Sequence, residues 1–223
     1  MNIHNKLEYL KERKNYSGHA HSIKTHLKPI LSKSNELRKR WMWELLQNAS
    51  DLGNEINAEF EFLDNFLIFR HNGEPFTLDQ AYNLIKPESS KDNKSTESKS
   101  VIGQFGTGFI STHILSKKIA VSGVVEHSEE DKYFRFSFNL DRSEREDKNF
   151  LIQSIKDSEK EYRDSLIEIE DYSPSDFDTE FVYQIDDTYS SIVGNQIIED
   201  GFDSFLELIP FVFAFRPQLK KIN

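Results

Sequence analysis

The chain has 223 residues with 37% hydrophobic content and 18 phenylalanines, which excludes a disordered chain and predicts a substantial core. Its net charge of −10 argues against direct nucleic-acid binding, since that needs clustered Lys and Arg. The chain has no cysteine, no apolar signal segment and no membrane-length apolar run, which excludes disulfides and indicates a cytoplasmic protein without membrane contact.

The first predicted elements are helices. Residues 1–33 are polar and mixed, with short helices predicted around residues 6–14 and 23–31. The segment SNELRKRWMWELLQNASD, from residue 34, has a Ser-Asn start suited to an N-cap. Its apolar residues recur at helical spacing, and they are Leu37, Trp41, Leu45 and Leu46. Gly53 follows, where a helix C-cap favours glycine.

A hairpin, a short helix and a loop come next. AEFEFLDNFLIFRHNG alternates apolar and polar residues around a turn at Asp64–Asn65, which predicts a β-hairpin. LDQAYNLIK is typical of a short amphipathic helix. Residues 86–101 are rich in Ser, Lys and acidic residues, which predicts a mobile cover over a site. In VIGQFGTGFISTHIL, a glycine-rich turn leads into a helix.

The second half predicts a sheet. KKIAVSGVV, YFRFSFNL, SLIEIEDY and TEFVYQID are typical of antiparallel strands in meander order, with a charged connection, DRSEREDKNF, among them. GFDSFLELIPFVFAFRP predicts a buried helix interrupted near Pro210, followed by a polar tail. Helices before strands predict an α+β fold, a two-layer α/β sandwich with one sheet face covered. We expect a domain at 34–190, preceded by the segment 1–33.

The C-terminal part, residues 191–223, is expected to be a helical extension that packs on the domain and leads to a further domain of a longer protein. The aromatic run from Phe205 to Phe215 is interpreted as core, or as a docking surface for such a partner domain.

Three polar residues in ELLQNASD form the first candidate constellation. Glu44, Asn48 and Asp51 are spaced by four and three residues, which places them on one helical face. A carboxylate beside an amide oxygen can polarise water and hold one Mg²⁺, which keeps several of its waters. The competing interpretation is a solvated helix face, which is common for charged residues.

The second constellation is IGQFGTGF, residues 102–109. Its Gly103, Gly106 and Gly108 let backbone N–H groups approach a ligand, and the following helix N-terminus favours an anion. No Lys-Ser or Lys-Thr follows, so it is not a Walker motif, and it lacks the preceding strand of a dinucleotide fingerprint. By itself it is either a phosphate cradle or a tight loop.

These motifs resemble those of the GHKL superfamily of ATPases (gyrase, heat-shock chaperone, histidine kinase, MutL), and most closely the ninety-kilodalton heat-shock chaperones. ELLQNASD resembles the N box, IGQFGTGF the glycine box, and HNGEPFT the intermediate Asp-x-Gly-x-Gly box. DTEFVYQI resembles the later Gly-Thr motif. The four motifs fall in family order over residues 34–185. The resemblance implies a Bergerat-type fold with an ATP lid, and ATP and Mg²⁺ as ligands.

The resemblance also implies a role for each matching residue. Glu44 would be the general base that orients the attacking water, and Asn48 would ligate Mg²⁺. Asp51 and Thr179 would lie at the base or ribose end. The intermediate box would contribute His71, Asn72, Gly73 and Phe76, with Phe76 either packing on the base or forming core. The phosphates would be wrapped by the backbone of Gly103, Gln104, Phe105, Gly106, Thr107, Gly108 and Phe109.

One departure from the family pattern concerns base selection. The family's intermediate box begins with Asp, which accepts a hydrogen bond from the adenine amino group. Here His71 takes that place and Pro75 replaces the second glycine. A neutral His can accept or donate, so three accounts stay open. His71 reads the base, or water or Asp51 does so, or nucleotide binding has been lost.

The resemblance implies a Mg²⁺-dependent ATPase acting as a conformational switch, in which ATP closes the lid and two such domains dimerise. A chaperone-like or sacsin-like protein, including one in a bacterial anti-phage system, is the expected setting. The alternative is an interaction module without turnover, with or without nucleotide, which His71 and Pro75 favour and Glu44 opposes. A protein kinase is a third interpretation.

Overall fold

The computed structural model describes residues 3, 5, 15–32, 34–87, 107–170, 172–174, 176–185 and 194–223. The helices in these ranges are α1 (Tyr16–Ser32), α2 (Ser34–Ser50), α3 (Leu78–Ile85), α4 (Thr107–Ser111) with a 3₁₀ turn at Thr112–Ile114, α5 (Lys148–Asp164) and α6 (Gly194–Phe215). The strands are β1 (Ile56–Leu63), β2 (Phe66–His71), β3 (Phe76–Thr77), β4 (Lys118–His127), β5 (Lys132–Asp141), β6 (Ile167–Ile169), β7 (Thr179–Gln184) and β8 (Leu219–Ile222).

The strands form one mixed, mostly antiparallel sheet in the order β6-β5-β4-β7-β2-β1-β8, with β3 paired to β4. The parallel pairs are β1 with β8 and β3 with β4. The predicted hairpin is confirmed as β1 and β2, with Asp64 at a positive φ in its turn. The predicted meander is confirmed for β4, β5 and β6 and is wrong for β7, which lies between β2 and β4. Phe181 and Tyr183 of β7 are almost fully buried, because β7 is a central strand with neighbours on both sides.

Helices cover one face of the sheet. Along β5, Phe134, Phe136, Phe138 and Leu140 are buried and alternate with mostly exposed residues. Tyr162 of α5 packs edge-on against Phe136 and Phe138, with ring centroids 5.3 and 5.7 Å away. The chain therefore has the mixed α/β architecture with a largely antiparallel sheet that its element order predicts.

The N-terminal and C-terminal segments share the core of the middle segment. Ala20, Ile23 and Leu27 of α1 are buried in the same apolar cluster as the sheet. Phe205 and Val212 of α6 belong to that cluster as well. The segments on either side of the predicted boundaries near residues 33 and 191 therefore share one hydrophobic core.

Helix α5 and strand β8 are absent from the sequence-based prediction. Helix α5 has a detectable signal, since Asp147 caps it by accepting from the N–H groups of Asn149 and Phe150. Its buried Leu151, Ile155 and Tyr162 also recur at helical spacing. Strand β8 has four residues in what looks like a polar tail, and only its parallel pairing with β1 makes it a strand.

Helix α6 differs from its prediction in two ways. It continues through Pro210, which lies on the exposed side, where the carbonyl freed by the missing N–H can bond to water. It is also only half-buried. Its exposed large apolar residues are Phe202, Leu206, Leu208, Phe211, Phe213 and Phe215. The helix is attached to α2 through Trp41, whose indole N–H donates to the carbonyl of Ile197 at 3.1 Å.

The predicted cover over residues 86–101 lies mostly outside the described residues. The prediction is wrong for Lys86, which is buried as the C-cap of α3. Its ammonium pairs with the carboxylate of Glu159 on α5. This pairing could not be read from composition, because it joins the end of one helix to the middle of another.

Candidate functional site

Helix α2 carries the first group of predicted residues. Its apolar face is held by Trp41 and Leu45, which are almost fully buried. The predicted polar residues of this helix do not form a solvated face, because the side chain of Glu44 is only 15% exposed and Asn48 is only 7% exposed. Burying an acid and an amide costs free energy unless partners compensate. The structure therefore argues against the solvated-face interpretation of these residues.

Glu44 lies directly against the end of the glycine motif. A Cβ atom added to Gly108 would be 2.5 Å from the Oε2 atom of Glu44, so a larger residue at this position would push the carboxylate aside. The other oxygen, Oε1, accepts from the guanidinium of Arg40 at 3.1 Å. The carboxylate is therefore oriented by one partner while its second oxygen faces the backbone at the start of α4. Two motifs that are distant in sequence meet at this point.

Aromatic contacts join this point to the other two motifs. Phe109 of α4 packs on Phe181 of β7 with ring centroids 5.3 Å apart. Phe181 stacks in turn on the imidazole of His71 at 6.4 Å. His71 and Thr179 are paired residues on β2 and β7, and both are buried. Described residues of all four motifs therefore lie in one neighbourhood.

Part of the glycine motif cannot be placed in this neighbourhood. Gly103, Gln104, Phe105 and Gly106 lie outside the described residues, and Thr107 is described only as the start of α4. Helix α4 has five residues and continues into the 3₁₀ turn, so the predicted helix after the glycine-rich segment is confirmed.

His71 is 1% exposed, and its two ring nitrogens have different environments. The Nδ1 atom accepts a hydrogen bond from the N–H of Gly73 at 3.1 Å. The Nε2 atom is buried without a hydrogen-bond partner in the described part of the chain. Burial lowers the pKa of His71 to about 3, so the ring is neutral at physiological pH. In a neutral ring whose Nδ1 accepts, Nε2 carries the proton.

Three predicted residues have a buried polar atom without a hydrogen-bond partner among the described residues. These atoms are Asn48 Nδ2, Asp51 Oδ2 and His71 Nε2. Buried polar groups are normally paired, and each orphan indicates either a missing ligand or water or a real energetic cost. A ligand-binding pocket would leave such atoms without protein partners, although further atoms of this kind in the described residues lie outside the predicted site.

Asp51 has a partner that sequence reasoning missed. Its Oδ1 accepts from the guanidinium of Arg216, just beyond α6, at 2.8 Å. Burial raises the pKa of Asp51 and the Arg216 charge partly opposes that shift. This carboxylate therefore also ties the end of α2 to the end of α6. Because Oδ1 is bound to Arg216, a base or ribose could contact Asp51 through its Oδ2 atom.

The remaining residues of the intermediate box are structural in this conformation. Asn72 accepts from the N–H of Asn57 at 2.7 Å, which holds the start of β1. Gly73 is needed for close approach, because an added Cβ would be 2.8 Å from the Cβ of Leu52. Phe76 is fully buried, edge-on to Phe136 with centroids 5.7 Å apart. The placement of Phe76 matches the core alternative rather than an open base platform.

The buried histidines predict a pH-dependent stability. The pKa of His113, like that of His71, is lowered to about 3, chiefly by burial. Between pH 6.5 and 3 the unfolded chain binds protons that the folded chain does not, so the free energy of unfolding falls on acidification. At pH 5 the loss is on the order of 2 kcal/mol for each histidine, relative to pH 7.

Urea denaturation of the unmodified chain and of His113→Asn at pH 7 and pH 5 measures this effect. We expect a smaller loss of stability in the variant, because one group that binds protons only in the unfolded state is removed. Replacing exposed His21 by Asn should leave the loss unchanged. Equal losses of stability in His113→Asn and His21→Asn would contradict the lowered pKa of His113.

None of the described helices combines the length and apolar content that a membrane-crossing helix needs. Comparison of the chain with models of protein families and with curated protein sequences finds no match.

Proposed function

We propose that this chain binds ATP with Mg²⁺ and hydrolyses it, using a site of the GHKL type. The observation that supports this most is the contact between the Glu44 carboxylate and Gly108. An acid that faces the backbone of a glycine-rich turn is the arrangement in which a water could be held next to a bound phosphate. A Bergerat-type fold with a lid formed by the predicted cover beyond Lys86, up to residue 101, belongs to the same proposal.

The proposed roles follow from the placement of each residue. Glu44 orients the attacking water and accepts its proton, while Arg40 holds the other carboxylate oxygen. The backbone of Thr107, Gly108 and Phe109, with the preceding glycines, binds phosphate oxygens. Thr179 and His71, paired across β7 and β2, lie at the base end. The hydrolytic step itself requires only that water attacks the terminal phosphorus while ADP leaves.

Asn48 is the proposed Mg²⁺ ligand. Its buried amide would bind the ion through the Oδ1 atom, while the Nδ2 donor, which has no described partner, is available to a bound phosphate or water. The described residues contain no cluster of three His, Asp or Glu side chains suited to a metal. Mg²⁺ suits such a site, because it keeps several waters and takes substrate phosphates as ligands. When bound, it would neutralise charge on the phosphates.

A second candidate function is an interaction module without turnover. The exposed apolar face of α6 favours this alternative, because an apolar surface of that kind is typical of contacts with other domains or chains. His71 in place of the family's Asp favours it too. A nucleotide-dependent homodimer with chaperone-like or defence-related activity would use both features, with the site as switch and the surface as contact.

Calorimetric titration with a non-hydrolysable ATP analogue and Mg²⁺ tests the proposal. We expect saturable binding to the unmodified chain. Gly108→Ala should weaken it by at least about tenfold, because the added methyl displaces the Glu44 carboxylate next to the backbone that is proposed to bind the phosphates. Asp203→Ala, an exposed change on α6, should bind like the unmodified chain. Absence of any heat of binding with the unmodified chain would contradict the proposal.

A further inference from the structure

His71 has a buried N–H group with no acceptor among the residues that the structure describes. The Gly73 N–H occupies Nδ1 of His71, which leaves the single proton of the neutral ring on Nε2. This atom has no partner in the described part of the chain, although the residue is 1% exposed. A buried donor of this kind is stabilised by any ligand that brings an acceptor to it.

The surroundings of the ring limit what that ligand can be. The rings of Phe69 and Phe181 flank the imidazole, with centroids 5.7 and 6.4 Å away. They are apolar neighbours and supply no acceptor. Thr179 lies opposite His71 on the paired strand and is also buried. A flat, mostly apolar group with an acceptor nitrogen or oxygen on its edge suits these neighbours.

We infer that His71 donates its Nε2–H to ring nitrogen N1 of an adenine base, and that this bond selects adenine over 6-oxopurines. The inference rests on the proposed function, because it takes the ligand to be ATP. Adenine N1 is a hydrogen-bond acceptor on the base edge. In hypoxanthine and guanine the same nitrogen carries a hydrogen, so two donors would face each other.

Recognition of adenine by the His71 imidazole differs in chemistry from recognition by a carboxylate. A carboxylate can only accept, and it would read the amino group on C6 of adenine. The imidazole fixed by Gly73 can only donate from Nε2, and it therefore reads the neighbouring ring nitrogen. Base selectivity is kept, but the atom that determines it changes from the amino group to N1.

The test compares three nucleotides on the unmodified chain by calorimetry with Mg²⁺. They are ATP, 1-deaza-ATP, which has a C–H in place of N1, and ITP, which has N1–H and an oxygen on C6. We expect 1-deaza-ATP and ITP each to bind at least about tenfold more weakly than ATP, because the Nε2–H then faces a C–H or an N–H group at position 1 of the base in place of an acceptor nitrogen.

Two variants identify His71 as the source of the difference. His71→Gln retains an N–H donor at a similar distance along the side chain and should keep the preference for ATP over 1-deaza-ATP. His71→Leu removes the donor and should bind the two nucleotides equally. Where a variant does not fold, the comparison on the unmodified chain decides alone.

The outcomes separate the inference from the proposed function. Equal binding of ATP and 1-deaza-ATP, or tighter binding of ITP, overturns the role of His71 while leaving nucleotide binding intact. Binding of none of the three nucleotides overturns the proposed function and this inference with it.

Discussion

Replacing Glu44 by Gln should lower ATP turnover by about 10²- to 10⁴-fold, the range for loss of a general base. The affinity for ATP should stay within roughly threefold of the unmodified value, since the substitution keeps the side-chain size beside Gly108. Steady-state phosphate release and calorimetric binding, measured on the same preparations, separate the two effects. This separation also distinguishes an ATPase from an interaction module.

Glu207→Gln is the matched control, because it makes the same chemical change at an exposed position of α6. It should leave both turnover and affinity unchanged. Unaltered turnover in Glu44→Gln would remove Glu44 from the mechanism. A protein that binds ATP but shows no turnover before any substitution would favour the interaction module instead.

Replacing Lys86 by Met should destabilise the fold by about 3–5 kcal/mol, the usual effect of removing one partner of a buried ion pair. Lys86 and Glu159 have side chains that are 5% and 6% exposed. Glu159 also accepts from the hydroxyl of Tyr16 at 2.8 Å. The Lys86 ammonium lies 4.6 Å from the centre of the Tyr16 ring and 5.2 Å from that of Tyr82. Its loss leaves a buried carboxylate with one neutral donor.

Urea denaturation of single and double variants measures the pair. Lys86→Met with Glu159→Leu removes both charges and should recover most of the stability lost in Lys86→Met alone. Lys132→Met is a suitable control, because its ion pair with Glu168 is exposed and should contribute at most about 1 kcal/mol. A single variant as stable as the unmodified chain would show that this pair does not hold α1, α3 and α5 together.

The fold elements that sequence analysis predicted well are those with a local signal. Helix α2 and the β1–β2 hairpin follow from apolar spacing and turn residues within a few positions. Helix α3 carries a local signal as well, since Thr77 and Gln80 form a capping box. Helix α5 has the same kind of signal in its Asp147 cap and apolar spacing, although the sequence-based prediction does not include it.

The other differences between the predicted and the observed fold involve long-range pairing, which has no local signal in the sequence. Strand β7 enters the sheet between β2 and β4, and β8 exists only because β1 offers a free edge. The exposed face of α6 is equally a tertiary outcome. Its residues are as apolar as a core helix, and only packing against α2 decides which of them are buried.

For the site, residue order and spacing show which chemical groups are present and which of them share a helix face or a turn. The folded chain adds that Glu44 faces Gly108, that Asp51 is bound to Arg216, and that Gly73 fixes the proton of His71. The physical reason is that residue spacing encodes periodic local geometry, whereas hydrogen-bond partners and burial depend on segments that meet only when the sheet closes.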